Sequence, residues 1–185
     1  AGITDVPTTK KDKNSLINKE IYKVGVHGSK NIINLVANDT KIVFPSTHVI
    51  FEGLENVEKQ ISEQREPLPS LDYAIGKAQT EQDLINSNKN YVILRLGSVY
   101  GLSYDSTRLN IMPNLFSKIA ASNGKIKLFS KGEQFKSLVS VYDVARCLIF
   151  VGENQEISNE IFNCVNENLK VKQVAKICKK YSNNL

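Results

Sequence analysis

Tyr73 and Lys77 form the residue pair whose types and spacing best suit acid–base chemistry. Residues four apart stand on one face of a helix, so the phenol and the ammonium would project to the same side of one turn. A free phenol has a pKa of about 10 and is a poor base at neutral pH, but a fixed cation nearby lowers that pKa. Tyr73 could then exchange a proton with a hydroxyl group of a substrate. Such a pair also occurs on ordinary helix surfaces, so the segments on either side must show whether this pair has a chemical role.

Two apolar segments flank the pair and predict strands at 41–47 and 91–101. The first ends in two hydroxyl residues, Ser46 and Thr47, and the second is closed by a glycine turn that follows Ser98. Ligands of open parallel sheets sit beyond the carboxyl ends of the strands. We therefore expect these hydroxyls at the rim of an α/β sheet, near the Tyr-x-x-x-Lys helix.

Composition indicates a soluble globular protein, with 41% hydrophobic and 23% charged residues. The net charge of +5 comes mainly from scattered lysines that are not interleaved with aromatic residues, which argues against nucleic-acid binding. Three cysteines without metal spacing are typical of reduced thiols in the cytoplasm. No apolar run approaches about 18 residues, and the first residues lack the core of a signal peptide, so we expect a cytoplasmic protein without membrane contact.

The combination of Ser46-Thr47, Tyr73, Lys77 and Arg95–Gly101 resembles the extended short-chain dehydrogenase/reductase family of nucleotide-sugar epimerases, dehydratases and reductases. The resemblance implies that Tyr73 is the acid/base, that Thr47 positions the substrate oxygen, and that Lys77 tunes the phenol and reaches the ribose of a nicotinamide cofactor. That cofactor would be NAD, with NADP not excluded, and no metal is implied. The further cofactor contacts that the resemblance implies are Ala1, Gly2, Ser46, Leu96 and Ser98.

The resemblance implies a Rossmann-like doubly wound parallel sheet, of which this chain holds the later portion, with a small C-terminal substrate-binding lobe. Residues 1–101 would be the remaining cofactor domain, and 102–185 mainly the lobe, with segments returning to the main sheet. Ala1-Gly2 matches the family's strand ending before the site, and no Gly-x-Gly-x-x-Gly occurs in the sequence. We expect an ordered remnant of a longer polypeptide rather than a true truncation.

The segment from 19 to 37 has helical apolar spacing and corresponds to a helix in which the family carries an Asn that links the catalytic pair to solvent. Gly25 stands where that Asn is expected, which puts the usual proton path in doubt. His27 could substitute, although a surface or helix-packing histidine is favoured. Residues 52–71, with two prolines, predict an irregular loop over the site.

By the same resemblance, the lobe would bind a nucleotide-diphosphate sugar. Asn110 matches an Asn that contacts the diphosphate, and Lys136 stands where the family has an arginine, so it offers charge without a bidentate fork. Phe129, in a predicted strand at 125–129, would be either a wall for the base or a core residue. Asp143 is expected to be a helix N-cap. Thr47 and Ser98 complete the implied substrate contacts.

The favoured function is an NAD(P)-dependent nucleotide-sugar epimerase that works by reversible hydride transfer, and we expect a homodimer. A deoxysugar (4-keto sugar) reductase is an alternative, because the run from Ser46 to Gly53 is similar to that of such reductases. A third possibility is a non-catalytic cofactor-binding relative, which would be consistent with the departures from the family pattern at Gly25 and Lys136. Dehydration is disfavoured, because Val49 stands where dehydratases carry a proton-transferring carboxylate.

Overall fold

The computed structural model describes residues 16–56, 58, 60–103 and 107–182. They form two compact units. Unit 1 comprises the chain up to Arg95 together with Ile149–Asn163, and unit 2 comprises Leu96–Leu148 together with the chain from Cys164 onward. No helix in the described ranges has the length and apolar composition required to cross a membrane.

Among the described residues of unit 1, the helical segment predicted over 19–37 is confirmed, but it is not a uniform α-helix. Helix α1 (Leu16–Tyr22) continues into a π-turn (Lys23–His27) and then into α2 (Gly28–Leu35). The amide of Gly28 bonds to the carbonyl of Lys23, five residues back. The buried Val26 packs against the helix that bears the Tyr-x-x-x-Lys pair, since a Cβ placed on Gly76 would lie 3.5 Å from its Cγ2.

The sheet of unit 1 has the strand order β1-β2-β5, where β1 is Lys41–Thr47, β2 is Asn90–Leu96 and β5 is Glu160–Cys164. Helix α3 (Asp72–Ile85) lies between β1 and β2 in the chain, as predicted. Its Leu84 packs with Ile33 of α2 and Ile93 of β2 in the core of the unit. Burial of these apolar side chains holds helix and sheet together.

The segment from 52 to 71 follows a 3₁₀ turn (His48–Phe51), and its described residues contain no helix or strand, which confirms the predicted loop. Its two ends are tied together. Gly53 N donates to Leu68 O (2.8 Å), and Leu68 N donates to Ile50 O (2.9 Å). A Cβ on Gly53 would lie 2.2 Å from the Leu68 carbonyl oxygen, so this close approach requires glycine.

The continuous strand predicted over 91–101 is wrong, because Gly97 divides it. Strand β2 ends at Leu96, and β3 (Ser98–Tyr100) belongs to a second sheet in unit 2. In that sheet β3 pairs in parallel with β4 (Phe135–Ser140), which pairs antiparallel with β6 (Glu167–Lys170). A Cβ on Gly97 would lie 3.0 Å from the Ser137 carbonyl oxygen, so glycine permits β4 to approach at the break.

The helices of unit 2 are α4 (Asn114–Ala121), α5 (Val141–Glu153), whose last residues belong to unit 1, and α6 (Val171–Ser182). Phe116 of α4, Leu138 of β4 and Val174 of α6 form the core of the unit.

Two local predictions in unit 2 are wrong. No strand forms over 125–129, because Phe129 begins a 3₁₀ turn (Phe129–Gly132) in which Ser130 and Lys131 have positive φ values of 45° and 56°. Asp143 is not the N-cap of α5. The amide of Tyr142 donates to Ser140 Oγ (3.2 Å), which is the capping contact, and Asp143 lies in the first turn, where its charge suits the helix dipole.

Candidate functional site

Helix α3 carries both members of the Tyr-x-x-x-Lys pair. Tyr73 lies in its first turn and Lys77 one turn later, so the two side chains start from the same face of the helix. Both residues are half-buried. Their placement agrees with the geometry on which the predicted acid–base role depends.

The Lys77 ammonium is fixed at the carboxyl end of β1. Its Nζ donates to the Pro45 carbonyl oxygen (2.7 Å) and lies 4.5 Å from the centre of the Phe44 ring. Burial lowers the pKa of Lys77, while the negative charge of Glu81 partly opposes that shift. The lysine is therefore held at the strand end and is not an ordinary solvated side chain.

Thr47 is the last residue of β1 and is 7% exposed. Its Oγ1 accepts a hydrogen bond from Val49 N (3.3 Å) and so caps the 3₁₀ turn that follows. A hydroxyl that accepts this bond can still donate its own hydrogen to another group. The cap fixes the side chain, and the predicted role in positioning a substrate oxygen stays compatible with it.

Ser46 is buried, and its hydroxyl donates to Glu81 Oε1 (2.5 Å). The side chain is therefore engaged inside the unit. The cofactor contact assigned to Ser46 stays a prediction, and we expect it to involve backbone atoms, because the hydroxyl already serves Glu81.

Glu81 and Arg95 form a buried ion pair that the sequence analysis did not identify. Arg95 donates through Nε (3.1 Å) and Nη2 (2.8 Å) to Glu81 Oε2, and the side chains of Arg95 and Glu81 are 3% and 1% exposed. A signal was present in the sequence, because Arg95 is the one charged residue in the apolar run from Val92 to Leu96 and a buried charge needs a partner.

The π-turn bears on the predicted proton path. A Cβ on Gly25 would meet no atom within 4 Å, so the position where an Asn was expected has room for a side chain. His27 is exposed and packs edge-on against Tyr22, with ring centres 5.9 Å apart. That packing supports the surface interpretation of His27 over a role in proton transfer.

The other predicted site residues are distributed as follows. Leu96 ends β2, and Ser98 begins β3 of unit 2. Asn110 lies in a turn, where its Oδ1 accepts from Arg108 Nε (3.2 Å), and Lys136 lies on β4. Phe129 is 85% exposed, so its interpretation as a core residue is wrong and the base-side wall remains a prediction. Ala1 and Gly2 lie outside the described residues.

Comparison with known proteins places the chain in a family. The model of the NAD dependent epimerase/dehydratase family matches residues 7–164. No curated protein sequence matches the chain.

Solved structures with the same fold come from several bacteria. UDP-glucuronic acid 4-epimerase from Bacillus cereus has a TM-score of 0.82 at 19% identity, over 99% of this chain and 58% of that one. UDP-glucose 4-epimerase from Thermotoga maritima has a TM-score of 0.75 at 26% identity, over 90% of this chain and 55% of that one. The WbmG enzyme of Bordetella bronchiseptica, in complex with NAD and UDP, has a TM-score of 0.76 at 21% identity, over 96% and 54%.

The chain thus spans a little more than half the length of these structures. The Rossmann-like α/β prediction is confirmed, and NAD is the cofactor of the family whose model matches. The Tyr73–Lys77 helix, the strand end beside it and the matched family model together show that this chain belongs to the NAD-dependent epimerase/dehydratase family.

Proposed function

We propose that the protein containing this chain is a nucleotide-sugar epimerase in which Tyr73 is the acid/base. The observation that carries the proposal is the Lys77 ammonium, fixed to the Pro45 carbonyl oxygen one helical turn from Tyr73. A cation one helical turn from Tyr73 would favour the phenolate form of its side chain. The phenolate can then take the proton of a sugar hydroxyl.

The residues at the end of β1 suit the remaining requirements. Thr47 donates a hydrogen bond to the reacting oxygen and so limits its position, which favours the reacting geometry. NAD, when bound, would supply a reversible hydride acceptor for the sugar carbon that carries the reacting oxygen. Tyr73 returns its proton to the oxygen at the end of the cycle.

Lys77 also fits the cofactor. An ammonium has three N–H donors, and the bond to Pro45 O uses one of them. The others can serve the ribose hydroxyls of NAD while the charge acts on Tyr73. For unit 2 we propose that Asn110, Phe129 and Lys136 contact the nucleotide-diphosphate part of a UDP-sugar, the kind of ligand named for two of the solved structures. A cytoplasmic homodimer completes the proposal.

The test is Tyr73→Phe in the protein that contains this chain, assayed for interconversion of UDP-glucose and UDP-galactose. Loss of the proton acceptor should reduce kcat by about 10²–10⁴-fold, because positioned acid–base groups contribute that much. Tyr22→Phe is the control, since Tyr22 is an exposed tyrosine of the same unit and should retain full turnover.

Two results would contradict the epimerase. Stoichiometric consumption of NAD(P)H with a 4-keto sugar, without conversion of UDP-sugars, would identify the deoxysugar reductase. An absence of turnover with every substrate, unchanged by Tyr73→Phe, would identify a non-catalytic relative.

A further inference from the structure

The carboxylate of Glu81 joins three elements of unit 1. It lies on α3, accepts two bonds from Arg95 of β2 at Oε2, and accepts one bond at Oε1 from Ser46 at the carboxyl end of β1. The carboxylate is almost completely buried. Helix, central strand and strand end therefore meet at one side chain.

Arg95 extends the connection in two further directions. Its Nη1 donates to the Glu63 carbonyl oxygen (2.8 Å), and its guanidinium lies 5.4 Å from the centre of the Phe51 ring. The Glu63 side chain in turn accepts from Asn163 N (2.9 Å) at β5. The same network thus anchors the irregular segment 52–71 to the sheet.

Stability alone gives little reason for this arrangement. Removing two charges from water costs several kcal/mol per ion, and well-packed apolar residues of similar volume often stabilise a core equally well. Apolar contacts are not directional, so apolar residues could not fix the orientation of these elements in the same way. Hydrogen bonds to a carboxylate fix the distance and the angle between the elements that they join.

The bonds converge on the proposed reacting residues. Three consecutive residues of β1 are involved: Pro45 accepts from Lys77, Ser46 donates to Glu81, and Thr47 follows directly. Lys77 and Glu81 are four apart on α3 and share one face. Helix α3 therefore holds the end of β1 at two successive residues, immediately before Thr47.

We propose that Glu81 is a positioning residue, which together with Ser46 and Arg95 fixes the end of β1 against α3 and so holds Thr47 in place relative to Tyr73 and Lys77. Its role in catalysis rests on the proposed function. The clamp itself does not, because it consists of contacts within unit 1. The carboxylate also acts on Lys77 through its charge, from the same helix, while Phe44 and Pro45 face the ammonium from β1.

The first test measures the ionisation of Lys77 from the pH dependence of its acylation rate, followed by mass spectrometry. Glu81→Gln removes the negative charge that favours the ammonium and should move the Lys77 midpoint to lower pH. Glu58→Gln is the matched control, because Glu58 forms a comparable bidentate pair with Arg65 on the exposed surface of the same unit. That control should leave the midpoint unchanged.

The second test uses Ser46→Ala, which keeps both buried charges and therefore a folded unit. It should raise amide hydrogen exchange in residues 46–50 by about tenfold, while α2 and the remainder of α3 keep their protection. If Glu81→Gln does not fold, Ser46→Ala alone tests the positioning role proposed for Glu81. In an active protein, Ser46→Ala should also lower kcat about tenfold with KM changed less than twofold.

An unchanged Lys77 midpoint in folded Glu81→Gln, or unchanged exchange at 46–50 in Ser46→Ala, would overturn the proposal and leave Glu81 as a purely structural ion-pair partner. Neither readout requires turnover. If both respond while the parent protein epimerises nothing, the clamp stands and the proposed function fails.

Discussion

A buried ion pair of unit 1 and an ion-pair cluster of unit 2 differ in their exposure to solvent. In unit 1, Glu81 and Arg95 are both at most 3% exposed and link helix to sheet. In unit 2, Glu133 pairs with Lys170 (2.9 Å) and with Lys172 at the surface, where Glu133 is 50% exposed. A buried pair must be satisfied in every direction, whereas a surface pair competes with water. The buried pair thus fixes the internal geometry of unit 1, whereas the Glu133 cluster lies at the surface, as the Glu58–Arg65 pair of unit 1 does.

The largest effect should come from breaking the buried pair on one side. Arg95→Met leaves the Glu81 carboxylate buried without its cation, so we expect a loss of about 3–5 kcal/mol in the free energy of unfolding, measured by urea titration. Arg65→Met removes the matching cation from the exposed pair with Glu58 and should leave the urea midpoint unchanged.

A double variant sharpens this result. Arg95→Met with Glu81→Leu removes both charges and should recover much of the stability that the single variant loses. If the urea midpoint of Arg95→Met equals that of the parent protein, the buried pair contributes no more to stability than the surface pairs do. The contrast between the buried pair and the Glu133 cluster would then disappear.

An intermediate effect should come from Lys41, which is half-buried in unit 1. Its Nζ donates to the carbonyl oxygens of Val151 (3.2 Å) and Asn154 at the C-terminal end of α5, where a cation is favourable. Lys41→Met should reduce the free energy of unfolding by about 1–2 kcal/mol in the same titration. Lys41→Arg, which keeps the charge, should lose less, and equal losses would mean that packing outweighs the carbonyl contacts.

The smallest effect should come from Glu133 in unit 2. Its two lysine partners lower its pKa to about 2 from the ordinary 4.5. Because the folded pKa is the lower one, the stabilisation is present above about pH 4.5 and is lost as the pH falls towards about 2. Glu133→Gln should leave the melting temperature at pH 7 almost unchanged, since solvent screens these charges.

The pH dependence provides the check on Glu133. The difference in melting temperature between Glu133→Gln and the parent should shrink further below pH 4, and 1 M NaCl should abolish it. A large and salt-resistant loss at pH 7 would show that this surface pair behaves like a buried one.

The sequence was most informative where spacing repeats. The apolar spacing of residues 19–37 and the Tyr-x-x-x-Lys spacing of α3 predicted helical segments that the structure contains. It was least informative where a tertiary contact decides. Gly97 interrupts an apolar run because β4 passes close to it, and a glycine alone does not show whether it bends the strand or admits a neighbouring backbone.

The candidate site shows the same difference between local patterns, which the sequence reveals, and tertiary contacts, which it does not. Tyr73 and Lys77 were proposed from residue type and spacing and Thr47 from the family resemblance, and the structure adds the contacts of Lys77 and Thr47 with their neighbours. The partner of Ser46 is thirty-five positions away in the chain, so its engagement with Glu81 could not be predicted from local pattern. Long-range polar contacts require coordinates, even when each participant is conspicuous in the sequence.

The π-turn between α1 and α2 explains an irregularity in the buried residues of this helical segment. Ile21 and Val26 are both buried although they are five apart, a spacing that an ideal α-helix would place about 140° apart around its axis. A turn closed by a bond from residue 28 to residue 23 accommodates the extra residue and returns Val26 to the side of Ile21. The helical segment thus contains one extra residue at the π-turn, and the positions that face the core are shifted by one residue after it.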